Sequence, residues 1–221
     1  ADIDNETFQK EFDKINTDDD IDGILVLRPL PKQLDERAVE IKIDPRKDLD
    51  GISPINLARV YAGDESGYAP CTAEAVIEML DYAGIDIKGK RVTVVGRSLV
   101  IGKPVTMLLM RRNATVTVCH TKTVDMKECC RNAEILVAAA GCAHMIKPDY
   151  VSEGAVVIDV GTTRVPDPTR KSGFRLNGDV KFDEVAPLCS YITPVPGGVG
   201  PMTICSLMKN TLAAGKKEYY K

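Results

Sequence analysis

The sequence predicts an α/β protein with a parallel sheet, on three observations. From residue 90 onward four apolar runs recur: RVTVV at 91–95, ATVTV at 114–118, ILVAA at 135–139 and AVVID at 155–159. Helical stretches at 103–112 and near 125–132 separate them. A glycine turn, VVGRSLVIGKP, joins the first run to the first of those helices. Apolar runs that alternate with helices belong in a sheet covered on both faces.

Upstream, residues 6–15 place Phe8, Phe12 and Ile15 on one helical face. The acidic stretch from Asn16 to Asp22 reads as a solvated loop. GILVLRPLP (23–31) is a short apolar run stopped by Pro29 and Pro31, predicting a buried strand that ends in a loop. Residues 33–41 predict a helix, and KDLDGISPIN (47–56) a loop. TAEAVIEMLDYA (72–83) opens with a Thr N-cap and carries Ala75, Val76, Met79 and Leu80 at helical spacing, with Gly84 ending it. A last helix, about 201–214, follows the loop TPVPGGVG.

Composition sets the outer bounds. A chain of 221 residues holds one large domain or two small ones. With 44% hydrophobic and 28% charged residues it is too apolar for disorder. Its 29 Lys and Arg against 32 Asp and Glu leave a net charge of −3, without the basic footprint of a nucleic-acid partner. No apolar run approaches the ~20 residues of a membrane span. The seven cysteines form no C-x-x-C pair and read as buried small side chains and bystander thiols rather than metal ligands or a disulfide framework. Residues 1–20 are acidic and polar, unlike a leader, and the expected compartment is the cytoplasm.

The glycine turn has the place of a dinucleotide phosphate loop. Gly96 permits a tight turn, Ser98 presents a hydroxyl, and Gly102 allows close approach at a helix start whose N–H groups favour an anion. The spacing, G-x-S-x-x-x-G-x-P with Pro104 last, meets the usual G-x-G-x-x-G only in part, so an ordinary βα turn stays open beside cofactor binding. The second run ends in Cys119, His120, Thr121, Lys122 and Thr123, with no carboxylate to hold a ribose 2′-hydroxyl. With Arg97 beside Gly96, these hydroxyls and cations favour NADP over NAD; a solvated strand end is the other reading of His120 and Lys122.

Seven stretches together resemble the bifunctional methylenetetrahydrofolate dehydrogenase/methenyltetrahydrofolate cyclohydrolase family. They are GILV–PLP (23–31), KDLDGISPIN (47–56), VVGRS–IG-P (94–104), ATVTVCHTKT (114–123), EGAVVIDVGTTR (153–164), LNGDV (176–180) and TPVPGGVGPMT (193–203). The resemblance implies a folate domain at 1–83 and 194–221 and a Rossmann-like NADP domain at 84–193. It also implies a homodimer through the Rossmann domain, tetrahydrofolate derivatives as substrates, and both activities of the family. Asp50 aligns with the catalytic-site carboxylate that grips the pterin, where two acceptors meet the adjacent N–H donors of a 2-amino-4-oxopyrimidine. Val26, Leu27 and Arg28 fall in the folate site. Pro196, Gly197, Gly198, Val199, Gly200 and Pro201, continuing to Thr203, supply a glycine-rich wall that a flat ring approaches closely. Gly141, Gly161 and Thr162 join the cofactor set, with Thr162 where the family usually has an aliphatic residue. Asp179 reads equally as a site residue and as a structural carboxylate.

Two departures carry expectations. The chain opens with Ala1, at what resembles a helix of the folate domain, and no Tyr-x-x-x-Lys motif, which carries the family's catalytic lysine, occurs in it. The expectation is a folate domain lacking its first strand. The family's GILVQLPLP reads GILVLRPLP here, so Leu27 replaces a glutamine of the one-carbon site, and Arg28 faces the other side if the run alternates. Hydride transfer needs mainly alignment, whereas hydrolysis must activate water. The expectation is therefore retained dehydrogenase and weak or missing cyclohydrolase activity in the intact protein. A monofunctional dehydrogenase, a dehydrogenase of another small substrate, an NAD-preferring variant and an inactive NADP-binding dimerisation module are the rival readings.

Overall fold

The computed structural model describes residues 2–220. They fall into two compact units: the described residues up to Cys71 with those from Cys205 on, and Thr72–Ile204. The sequence reading put these boundaries at 83/84 and 193/194. Packing, which local sequence does not reveal, groups the helix after Cys71 and the loop before Cys205 with the second unit.

The first unit holds α1 (Asn5–Thr17), α2 (Glu36–Lys42) and α3 (Pro54–Ala62). Asp4, Asp35 and Ser53 cap them, each side chain accepting a first-turn backbone N–H. Phe12, Ile24, Val39, Ile43 and Ile52 form its core. Phe8 packs against this cluster, but Ile15 of the predicted face is exposed. Helix α3 begins inside the segment read as loop. The Ser-Pro pair at 53–54 was its start signal, with Pro54 in a first turn that needs no N–H.

The run at 23–31 is not a strand of a sheet. It makes one parallel bridge, Ile24 to Asp48, and its side chains alternate, with Ile24 buried and Leu25 and Leu27 exposed. A strand needs a partner along its length, and apolarity alone does not supply one.

The second unit contains α4 (Cys71–Tyr82), β1 (Arg91–Val95), α5 (Gly102–Arg111), β2 (Thr115–Cys119), α6 (Met126–Arg131), β3 (Ile135–Ala138) and β4 (Val156–Asp159). There follow β5 (Thr163–Pro166), β6 (Phe174–Asn177), α7 (Phe182–Val185), β7 (Tyr191–Ile192) and the start of α8 (Val199–Gly215). Five strands pair in parallel in the order β2-β1-β3-β4-β7. Residues Val92, Val94, Ile135, Leu136, Val157 and Ile158 are at most 1% exposed, as a sheet covered on both faces demands. The antiparallel pair β5–β6 and the two-residue β7 were not legible in the sequence, being short and polar or half-buried.

Candidate active site

In the second unit the chain runs from β1 outward to β2, then returns to β3 on the other side of β1. Ligands of open α/β sheets bind at such a reversal, beyond the carboxyl ends of the strands. Gly96 follows β1 there with φ +135°, and a Cβ on it would overlap the Ala139 carbonyl after β3. Its N–H donates to Cys119 O at 2.8 Å, closing the ends of β1 and β2 together. A Cβ on Gly102 would likewise overlap Gly96 O. Both glycines are therefore required by close backbone approach.

The helix start differs from expectation. Ser98 Oγ accepts the N–H groups of Ile101 (3.1 Å) and Gly102 (3.3 Å), and Ser98 O accepts that of Lys103 (3.0 Å). Pro104, buried, has no N–H. The α5 donors expected to await an anion are thus already satisfied by the serine that caps them. Arg97 through Val100 form an exposed loop around this cap.

At the end of β2, Cys119 is fully buried and the next four residues fold into a turn. His120 N–H donates to Thr123 Oγ1 at 2.8 Å, Thr123 N–H to His120 O at 2.8 Å, and Lys122 N–H to His120 Nδ1 at 3.1 Å. Nδ1 as acceptor leaves the proton on Nε2. Thr121 and Lys122 are exposed.

Two further loops reach the same carboxyl edge, after β3 and β4. Gly141 (φ +66°) and Thr162 are exposed, whereas Gly161 is buried against Asp179. Asp179 is fully buried, and Asp159, which ends β4, is 3% exposed. Burial pushes the Asp159 carboxyl up to about 6, and the neighbouring Asp179 charge adds to this, against the opposing pull of three backbone N–H donors. Sequence reasoning missed Asp159; its signal was a carboxylate closing an apolar strand.

The loop 193–203 belongs to the second unit. Gly197 (φ +104°) is exposed beside Pro196, and Gly198 is buried, where a Cβ would press on Pro194 O. Val199 is buried at the start of α8, and Gly200 and Pro201 are exposed.

In the first unit, Asp48 and Asp50 divide the labour of KDLDG. Asp48, fully buried, accepts the N–H groups of Ile52 (3.0 Å) and Ser53 (2.8 Å) and the Asn56 amide (2.9 Å). Gly51 turns at φ +61°, where a Cβ would meet the backbone of Tyr68 and Pro70. Asp50 is left at the surface of that turn, its side chain 25% exposed. One of its oxygens accepts Cys71 N–H at 3.2 Å, and the other lies 3.5 Å from Arg28 Nη2. Arg28 Nη1 also reaches Glu40 at 3.3 Å. Val26 is half-buried, and Leu27, 79% exposed, touches neither carboxylate. The residue brought to Asp50 is thus Arg28. The alternation expected of the run holds here: with Leu25 and Leu27 outward, Arg28 lies on the opposite, inner side.

A depression of about 1050 Å³ lies at the opposite end of the sheet, between Lys90, Arg91, Arg131, Glu134 and Glu153. None of the candidate residues lines it.

The sequence model of the tetrahydrofolate dehydrogenase/cyclohydrolase NAD(P)-binding domain matches residues 70–219, and that of the family's catalytic domain matches residues 1–50. The chain is 53% identical to the bifunctional protein FolD of Phocaeicola vulgatus, over 100% of this chain and 76% of the relative. Among solved structures it is similar to the bifunctional FolD enzyme of Campylobacter jejuni, with 40% identity, TM-score 0.91, and 98% and 75% of the two chains covered. It is also similar to the Trypanosoma brucei dehydrogenase-cyclohydrolase, solved with NADP cofactor and inhibitor, with 42% identity, TM-score 0.93, and 98% and 74% covered. The chain belongs to the tetrahydrofolate dehydrogenase/cyclohydrolase family.

Proposed function

We propose that the protein oxidises 5,10-methylenetetrahydrofolate with NADP and hydrolyses the resulting 5,10-methenyltetrahydrofolate to 10-formyltetrahydrofolate. Family membership over the whole length of the chain carries this reading. The cofactor fits the residues present: Gly96 keeps the turn after β1 free of side chain, and no carboxylate stands at the end of β2. When bound, NADP supplies the hydride acceptor for the first reaction. Arg97 and the 120–123 turn would face its phosphates and ribose and Gly141, Gly161 and Thr162 its nicotinamide side, while Gly96, Ser98, Gly102 and Pro104 would shape the turn that receives it.

Asp50 orients the folate by accepting the pterin N–H donors. Its partner Arg28 keeps a positive charge beside that carboxylate, so the site offers a donor next to the acceptors. Metal plays no part in this assignment. The protein acts in the cytoplasm as a homodimer joined through its Rossmann domain, which sedimentation of the purified protein tests; no helix among the described residues is long and apolar enough to cross a membrane.

A second reading, a dehydrogenase with weak cyclohydrolase activity, is favoured by one observation. Leu27 stands at the glutamine position of the family's one-carbon site and offers no hydrogen bond to water. A paired assay decides between them: NADP reduction with methylenetetrahydrofolate beside decay of added methenyltetrahydrofolate. Acceleration of both establishes the bifunctional enzyme. Reduction alone establishes the dehydrogenase, and neither overturns the enzymatic reading.

A further inference from the structure

The loops after β3 and β4 are tied to one another through two buried carboxylates. Asp179 accepts three successive N–H groups of the first loop: Ala140 (2.6 Å) and Gly141 (2.9 Å) on Oδ2, and Cys142 (2.8 Å) on Oδ1. Asp159 accepts Gly161 N–H of the second loop (2.9 Å) and the backbone N–H groups of Asp179 (3.0 Å) and Val180 (2.9 Å). One continuous path thus runs from loop 140–142 through the Asp179 side chain and backbone to Asp159 and on to Gly161. Neither carboxylate has an ion-pair partner among the described residues, so six backbone donors supply the whole compensation for their burial. Two glycines are shaped by this path. A Cβ on Gly161 would overlap the Asp179 carboxylate, and one on Gly178 the Asp159 carboxylate. Neither has a positive φ, so contact rather than backbone conformation requires glycine there.

Burying two like-charged carboxylates without a cation costs stability, and a core would be better served by apolar side chains. The return lies in what the acceptors hold. Ala140, Gly141, Cys142 and Thr162 are exposed at the carboxyl edge of the sheet, where the proposed NADP site lies. We propose that Asp159 and Asp179 are positioning residues for the cofactor: they lock the two loops into one rim before the dinucleotide arrives, so that binding does not have to order them. The proposal rests on the NADP reading above. It also resolves the two readings of Asp179, which acts through the loops without touching substrate.

The experiment has two arms. In the wild-type protein without cofactor, hydrogen exchange is read at Ala140, Gly141, Cys142 and Gly161. The expected result is slow exchange, at rates comparable with β3. Exchange at open-loop rates that slows only on adding NADPH would overturn a rim formed in advance. In the second arm, NADPH binding is followed directly by fluorescence for wild type, Asp179→Asn, Asp159→Asn and the core variant Val157→Ala. The two carboxamide variants should weaken NADPH binding about tenfold or more and raise KM for NADP, with KM for the folate changed less than twofold. Val157→Ala, measured well below its unfolding temperature, should lose stability and keep wild-type affinity. Wild-type affinity in a folded carboxamide variant would overturn the inference. Failure of the wild type to bind NADPH would instead overturn the cofactor reading itself.

Discussion

Asp50 in the first unit and Asp179 in the second each serve a loop of their own unit, yet their charges are compensated in different ways. Asp50 is a quarter exposed and shares its oxygens between one backbone N–H and the guanidinium of Arg28. Asp179 is fully buried, and three backbone N–H groups do the same work. A guanidinium on a long stem can turn toward a ligand, so the first arrangement leaves the carboxylate free to exchange partners. Backbone donors move only if the loop moves, so the second fixes a shape. Asp48, two residues before Asp50, is of the second kind. One carboxylate presents itself to solvent because its neighbour holds the turn.

That contrast can be broken most severely at Asp48. Asp48→Ala strands two backbone N–H groups in the interior, at about 1–3 kcal/mol for each buried unsatisfied group, and leaves the Asn56 amide with Pro45 O as its acceptor. The expected loss is about 4 kcal/mol by urea unfolding; a loss under 1 kcal/mol would mean that water replaces the carboxylate.

Next in size is the pH dependence of Asp159. Its folded-state value of about 6 lies above the ordinary 3.8, so the folded protein binds the proton more tightly. This contribution is fully present below about pH 4 and is lost as pH rises through 6, a change of about 3 kcal/mol. Unfolding free energies of wild type relative to Asp159→Asn should fall between pH 4 and 6.5 and stay level above it; a flat difference would place the carboxyl at an ordinary value.

Gly96→Ala tests the close approach of backbones at the cofactor turn, where a Cβ would overlap Ala139 O. KM for NADP should rise at least tenfold, about 1.4 kcal/mol, while unchanged affinity would show that the loop relaxes.

Arg28→Leu sharpens the comparison from the other side. Because the pair is partly exposed, KM for the folate should change only about threefold, within the ~1 kcal/mol range of such pairs. KM for NADP should not move. The smallest effect is that of Leu27→Ala on stability, within about 0.5 kcal/mol as for other exposed positions, by the same urea titration.

Much of this was legible in the sequence. Four apolar runs with intervening helices became β1 to β4 nearly residue for residue, since a strand buried on both faces is apolar throughout. GILV at 23–26 is as apolar as RVTVV at 91–95, but only the latter lies between two partners. Ser98 was visible as a hydroxyl in the glycine turn; that it caps α5 and consumes the donors meant for an anion was not.

By itself the sequence determined the α/β class, the glycine turn, the absence of a carboxylate after β2 and the family, because each is written in neighbouring residues whose spacing and chemistry are read locally. Only the tertiary structure decided that Arg28 rather than Leu27 meets Asp50, that Asp159 and Asp179 join two loops, and that Gly161 and Gly178 are glycines of contact. Those pairings bring together residues 18 to 39 positions apart, and which of many polar groups meet in a buried place is set by packing of the whole unit.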